Sequence, residues 1–257
     1  MYLDKIIEAK KLEVEALKKN IVVSDLQTYD VYQRVCYSLK RSLQSSKTGI
    51  ISEFKRKSPS KGFIKEGAEV ADIVPGYEKS GATGISVLAD EQFFAGGAKD
   101  VRVARELVNI PLLFKEFVID EIQIHLAKSS GADVILLIAA CLTKERMIEL
   151  ATCAKKLGLE TLLEIHSEEE LEYIDPIIDI VGINNRNLKT FEVDLAASIA
   201  LCHKIPDSYV KISESGLSDP ETVKMLRNEG FSGFLMGENF MKQADPALGL
   251  KDFISKL

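Results

Sequence analysis

Asp133-Val134-Ile135-Leu136-Leu137-Ile138-Ala139 carries one charge at its start and then an unbroken apolar run. A strand with one wet face alternates apolar and polar residues, so a continuous run of this kind marks a strand buried on both faces. Beyond it, Met147-Ile148-Glu149-Leu150 opens a helical periodicity that ends at Gly158, where glycine can take the left-handed position after a helix. Before it, Val70-Ala71-Asp72-Ile73-Val74 does the same and ends at Gly81. Further apolar runs lie on either side: IISEF (50–54), GISVLA (84–89), PLLFKEF (111–117), ETLLEI (160–165), DIVGIN (179–184), YVKIS (209–213) and GFLMG (233–237). Their starts recur about every 26 residues, which suits strand, helix and two loops, whereas hairpins would repeat at roughly 8–12. Five or six such units would suggest an open sheet, but eight can close. The expected class is therefore α/β, a (β/α)8 TIM barrel.

The totals agree with one domain over residues 1–257, a barrel from 48 to 257 preceded by an N-terminal helical extension over 1–47. In that extension Leu3, Ile6, Ile7, Val14 and Leu17 fall on roughly one helical face among lysines and glutamates, which predicts an amphipathic helix lying on the barrel. Residues 25–46, rich in Ser, Gln and Tyr, are expected to hold a second short helix and a connection. A packing extension or barrel cap is the preferred reading over a partner-binding helix. The net charge of -6 argues against nucleic acid, since neutralising phosphates needs a basic face. Cys36, Cys141, Cys153 and Cys202 are scattered without metal-ligand spacing and read as reduced thiols. No segment approaches the roughly 20 apolar residues of a membrane span, and the charged start lacks a leader's apolar stretch. The cytoplasm is the expected compartment, with no membrane partner.

Successive strand residues face opposite ways, so Ile51, Glu53 and Lys55 share one face and Phe54 takes the other. Phe54 suits the layer under the helices, which sends Glu53 and Lys55 inward at the end of the strand. There a charge is costly unless paired or functional. The same parity joins Leu113 to Lys115, Leu162 to Glu164, Ser86 to Leu88 and Ile212 to Glu214, and links Gly182, Asn184 and Arg186. A single such residue reads as a rim charge. Six strands delivering polar groups to one end read as an active site, because catalytic residues of such barrels come from several strand ends.

Ser213-Glu214-Ser215-Gly216 follows the seventh run and Met236-Gly237-Glu238-Asn239 the eighth. Loops at these places often offer backbone N–H groups to phosphate, and Gly216 and Gly237 permit close approach. A carboxylate at Glu238 would repel a phosphate, so its backbone is expected to bind while its side chain points away. Lys55-Arg56-Lys57-Ser58-Pro59-Ser60-Lys61-Gly62 brings positive charge to the mouth, as an anionic substrate requires. In Phe93-Phe94-Ala95-Gly96-Gly97 the aromatics are candidates for an apolar wall or for simple loop packing.

With these motifs in view, the chain resembles the indole-3-glycerol-phosphate synthases over nearly its whole length, extension included. SEFKRKSPSKG, LADEQFFAGG, LLFKEFVID, LLEIH, GINNRNL, SESG and FLMGENF carry the resemblance in fixed order. It implies conversion of 1-(2-carboxyphenylamino)-1-deoxyribulose 5-phosphate into indole-3-glycerol phosphate with loss of CO2 and water, as a carboxy-lyase of tryptophan biosynthesis. By resemblance, Lys115 is the general acid, Glu164 stabilises positive charge or acts as base, and Lys55 pairs with the substrate carboxylate and can supply an acid in dehydration. Glu53 holds both lysines, and Asn184 orients hydroxyls or the acid. Ser58, Ser86, Arg186 and Glu214 complete the substrate shell, while Ser215, Gly216, Gly237 and Glu238 match the phosphate site. Family members often carry serine where this chain has Glu238. His125, His166 and His203 do not fall on the family's catalytic positions and are expected on helices or the surface. No metal or organic cofactor is implied.

Two rivals remain at this level: another phosphate-binding barrel, such as a sugar-phosphate isomerase or epimerase, and a non-catalytic protein that kept the fold. The first has no need of Glu53 with Lys55 and Ser58, and intact Lys115 and Glu164 argue against the second. The sequence does not reveal the oligomeric state, and a monomer is the expectation carried forward.

Overall fold

The computed structural model describes residues 2–187 and 192–257. The apolar runs form eight parallel strands: β1 (Ile50–Phe54), β2 (Gly84–Leu88), β3 (Leu112–Lys115), β4 (Val134–Ile138), β5 (Glu160–Ile165), β6 (Ile180–Asn184), β7 (Val210–Glu214) and β8 (Gly233–Met236). They close in chain order, with β1 pairing β8 through Ile51↔Leu235 and β2 through Glu53↔Ser86. No helix among the described residues is long and apolar enough to cross a membrane.

Two apolar layers follow from strand parity. Ile51, Leu113, Val134, Leu136, Leu162, Ile180, Val210, Ile212 and Leu235 fill the barrel interior. Phe54, Val87, Phe114, Ile135, Leu163, Val181 and Phe234 face the helices instead. The interior is thus a packed core beneath a polar upper end.

The extension touches both ends of the barrel. Helix α1 (Tyr2–Asn20) crosses the upper rim, and α2 (Leu39–Ser45) closes the floor with buried Leu39 and Leu43, which pack into the interior cluster. Burying each leucine stabilises by about 1.5–3 kcal/mol. The strand starts beneath them are glycines for a steric reason: a Cβ on Gly84 would lie 2.7 Å from Leu39 Cδ1, and one on Gly233 would lie 2.9 Å from Leu43 Cδ2.

The outer helices are α3 (Val70–Lys79), α4 (Ala98–Leu107), α5 (Glu121–Ser129), α6 (Lys144–Lys156), α7 (Leu195–Cys202), α8 (Pro220–Asn228) and α9 (Pro246–Ile254). Several start on Asp or Thr caps: Asp120 on α5, Thr143 on α6, Asp194 on α7, Asp219 on α8 and Asp245 on α9. Gly81 and Gly158, the expected stops, have φ of +96° and +73°. The fifth unit departs from the repeat. Between β5 and β6 there is only a 3-10 helix, Glu169–Tyr173, because the link is short, crowded with Glu168, Glu169, Glu170 and Glu172, and broken by Pro176.

Candidate active site

The upper end opens into a cavity of about 370 Å³, within the usual size of a small-molecule site. Lys55 follows β1 and Lys115 ends β3; Glu53, Glu164, Asn184 and Glu214 stand at the ends of β1, β5, β6 and β7, and all line it. Around them come Ser58, Arg186, Ser215, Gly216, Gly237 and Glu238. The inward parity read from sequence is the parity found, and it converges on one pocket.

Lys115 is the hub. Its Nζ donates to Glu214 Oε2 at 2.5 Å and to Glu164 Oε2 at 3.1 Å. Burial works against the cation, but Glu214, Glu164 and Glu53 outweigh it and hold the ammonium above the ordinary lysine range. Burial likewise acts to raise Glu164, yet Lys115, His166 and Asn184 together keep it below the usual carboxylate range. Glu214 goes the other way: burial pushes it up to about 7, with Lys115 opposing and Glu164 assisting. Two buried carboxylates that share one ammonium titrate as a pair, and the pair retains a proton that neither would hold in water.

Lys55 pairs with Glu53 Oε1 at 2.6 Å. Ser86 differs from the expectation that it belongs to the substrate shell. Its hydroxyl is fully buried below the cavity lining and donates to Glu53 Oε2 at 3.2 Å, so it orients the carboxylate that holds Lys55. Asn184 Nδ2 donates to Glu164 Oε1 at 3.0 Å, and its Oδ1 accepts from the Arg186 backbone N–H at 3.0 Å.

Two glycines make room for these carboxylates. A Cβ on Gly182 would lie 2.6 Å from Glu214 Oε1, and one on Gly237 would lie 2.7 Å from Glu53 Oε1. Gly216 sits at φ +73° directly after Ser215 at φ +70°, a tight turn that lines the cavity. Asn185, which the parity argument passes over because it points outward, anchors that turn. Its buried amide donates to Ser213 Oγ at 3.0 Å and to the Ser215 carbonyl at 2.7 Å. The Glu238 side chain swings to Lys61, 2.6 Å away across the mouth.

The apolar wall comes from Leu136, Ile138, Leu235, Phe94 and Phe117, with Leu3 and Ile6 of α1 over the opening. Phe94 and Phe117 pack with centroids 6.3 Å apart, whereas Phe93 is outside the lining. What places α1 there is Lys10, 1 % exposed, whose Nζ meets Asp90 Oδ2 at 2.8 Å, Glu116 Oε2 at 2.9 Å and Glu13 Oε2 at 2.7 Å. Lys10 falls on the same helical face as Leu3, Ile7, Val14 and Leu17, so its place in the period already points inward, and the fold shows which carboxylates receive its charge.

The histidines divide. His203 is exposed and His125 lies on α5, as expected, but His166 is neither on a helix nor at the surface: it follows β5, shares the face of Glu164 and is 12 % exposed. Among the described residues no group of three or more His, Cys, Asp and Glu side chains is disposed to hold a metal ion.

Comparison with known proteins bears on the whole arrangement. The family model for indole-3-glycerol phosphate synthase matches residues 3–253. The indole-3-glycerol phosphate synthase of Bacteroides thetaiotaomicron is 51 % identical across 99 % of this chain and 98 % of its own length. That of Bacillus cereus is 44 % identical across 93 % and 92 % respectively. Among solved structures, 3-hexulose-6-phosphate synthase from Salmonella typhimurium aligns with a TM-score of 0.64 at 12 % identity, covering 81 % of this chain and 98 % of that one. The tryptophan synthase alpha subunit from Legionella pneumophila aligns at 0.61 and 15 %, covering 85 % and 95 %, so these two share the fold alone. Matched from the extension to the last helix, the chain belongs to the indole-3-glycerol phosphate synthase family of tryptophan biosynthesis.

Proposed function

We propose that the cavity binds 1-(2-carboxyphenylamino)-1-deoxyribulose 5-phosphate and converts it into indole-3-glycerol phosphate, with residues 1–257 acting as one domain and as a monomer. The observation that carries the residue assignments is the placement of Lys115 between Glu164 and Glu214 in a pocket with an apolar wall on one side and backbone turns on the other. The aromatic ring lies against Phe94, Phe117 and Leu136. The phosphate meets the turns at Ser215-Gly216 and Gly237-Glu238, and the carboxylate of the aromatic ring faces Lys55.

Ring closure joins the carboxylate-bearing aromatic carbon to the ribulose carbonyl carbon, and the broken π bond leaves negative charge on the carbonyl oxygen. Lys115 delivers a proton there, a contribution on the order of 100-fold to 10,000-fold. Glu164 stabilises the positive charge left on the ring system until CO2 departs and aromaticity returns. Dehydration then needs the hydroxyl to leave protonated and a proton to be lost elsewhere. In this reading Lys55, paired with Glu53, supplies the acid and Glu164 the base. Asn184 steadies Glu164, and Arg186 and Ser58 close the shell.

The experiment is to offer the purified chain the carboxyphenylamino substrate and to follow CO2 release and indole fluorescence together. Equal amounts of CO2 and indole product are expected. Isomerised sugar phosphate from a phosphorylated sugar, with neither CO2 nor indole from the carboxyphenylamino substrate, would replace this reading with that of a phosphate-sugar isomerase.

A further inference from the structure

Glu164 faces Lys115 with one oxygen and two other groups with the second. Oε1 accepts from Asn184 and lies 3.3 Å from His166 Nε2. The imidazole is buried behind the carboxylate and outside the cavity lining, so it reaches substrate only through Glu164. Its far nitrogen, Nδ1, lies 3.7 Å from Glu170 Oε2 on the 3-10 helix, and the same Glu170 oxygen accepts the His166 backbone N–H at 2.6 Å. The ring is therefore sandwiched between two carboxylates, one catalytic and one in the link that replaces the fifth outer helix.

We propose that His166 is a positioning residue for the reaction: as an imidazolium lying between Glu170 and Glu164, it fixes the orientation of Glu164 and keeps that carboxylate ionised.

This inference rests on Glu164 acting in the chemistry. The physical case is that a buried imidazole with a carboxylate at each nitrogen gains more by charging than it loses by desolvation. Burial opposes the cation, but Glu164 and Glu170 raise His166 to about 9. The other titratable neighbour is Cys141, on the turn after β4; burial first, and then the charges of Glu164 and Glu170, push its thiol up, so it stays neutral. Lys115 lies across Glu164 from the ring and reinforces the same ionisation. With a cation on either side, Glu164 is offered charge stabilisation from the substrate side and from behind.

The test compares His166→Gln, which keeps a donor but loses the charge, and His166→Lys, which keeps a charge, with Glu164→Gln as reference. In His166→Gln the acidic limb of the kcat profile should rise by roughly one to three pH units, the effect of removing a charge within about 4–6 Å. KM should hold, and His166→Lys should restore part of the shift. Independently of activity, NMR titration should find the His166 ring protonated up to about pH 9 in the wild type, and near an ordinary histidine value in Glu164→Gln. An unchanged limb in a folded His166→Gln, with Glu164→Gln inactive, overturns the positioning role alone. Full activity in Glu164→Gln overturns the assignment of Glu164 beneath it. Lower thermal stability with an unmoved limb reduces His166 to a packing residue, which also contradicts the proposal.

Discussion

Glu214 and Glu238 show how neighbours decide what a carboxylate does. Glu214 is fully buried and pushed up to about 7, so it holds its proton below that value and ionises above it. Its raised folded value means that its contribution to stability is greatest in acid and lost as pH rises through about 7. Activity should run the other way, since ionised Glu214 fixes the Lys115 ammonium. The kcat/KM profile is expected to rise through an apparent value near 7 that belongs to the Glu164 and Glu214 pair, and to lose that inflection in Glu214→Gln. An inflection that survives the substitution belongs to another group. Glu238 is different: half-buried and joined to Lys61, it is held below the carboxylate range, with burial opposing and Lys61 prevailing. Exchanging Glu238 for Ser removes a negative charge near the proposed phosphate turn and frees Lys61. KM should fall by at most about fivefold, the factor available from an exposed pair worth under about 1 kcal/mol. A raised KM would show instead that Glu238 orders the mouth.

The N-terminal helix is more than cover. Lys10 is a buried cation surrounded by Asp90, Glu116 and Glu13, and it ties α1 to the loops after β2 and β3. Burial lifts Glu116 to about 7 against the pull of Lys10. Cutting Lys10 to Ala leaves Asp90 and Glu116 buried without their cation, and should cost about 3–5 kcal/mol in urea unfolding at pH 8. The deficit should shrink as the pH is lowered from 8 toward 7, because without the lowering effect of Lys10 Glu116 takes up its proton at a higher pH than in the wild type. An equal loss at pH 8 and pH 6 would point to lost packing of the lysine stem instead. Lys115 ends the strand that leads into one of these loops and Phe94 lies in the other, so KM should rise with the loss of stability. Elements of this kind were only half legible. Leu3, Ile6 and Val14 announce an amphipathic helix and Lys10 shares their face, but a one-dimensional pattern does not say that this face lies across the barrel mouth or which carboxylates meet the buried lysine. The missing fifth helix was legible in principle from the shorter spacing before DIVGIN and from Pro176.

At the scale of the molecule, the closed barrel and its polar upper end could be read from the chain because they depend on two periods. Apolar runs spaced by helices set the strand count, and the two-residue repeat within each strand turned Glu53, Lys115, Glu164 and Glu214 inward without knowledge of any contact. Partners were harder to read, because contacts between loops and strands distant in sequence leave no period. Parity puts Ser86 on the inward face, where it lies a layer below the cavity lining; it carries no signal for Asn185, and LLEIH sets His166 two residues beyond Glu164 without showing what the ring meets. What remains to be tested is that this arrangement closes the indole ring with Lys115 as proton donor. The most direct measurement is the rate of indole-3-glycerol phosphate fluorescence from the synthetic substrate, taken on the wild type and on Lys115→Ala with folding checked by circular dichroism. Turnover in the wild type with a loss of at least about 100-fold in the variant is the expected result. A folded Lys115→Ala that turns over within a few-fold of the wild type would contradict it.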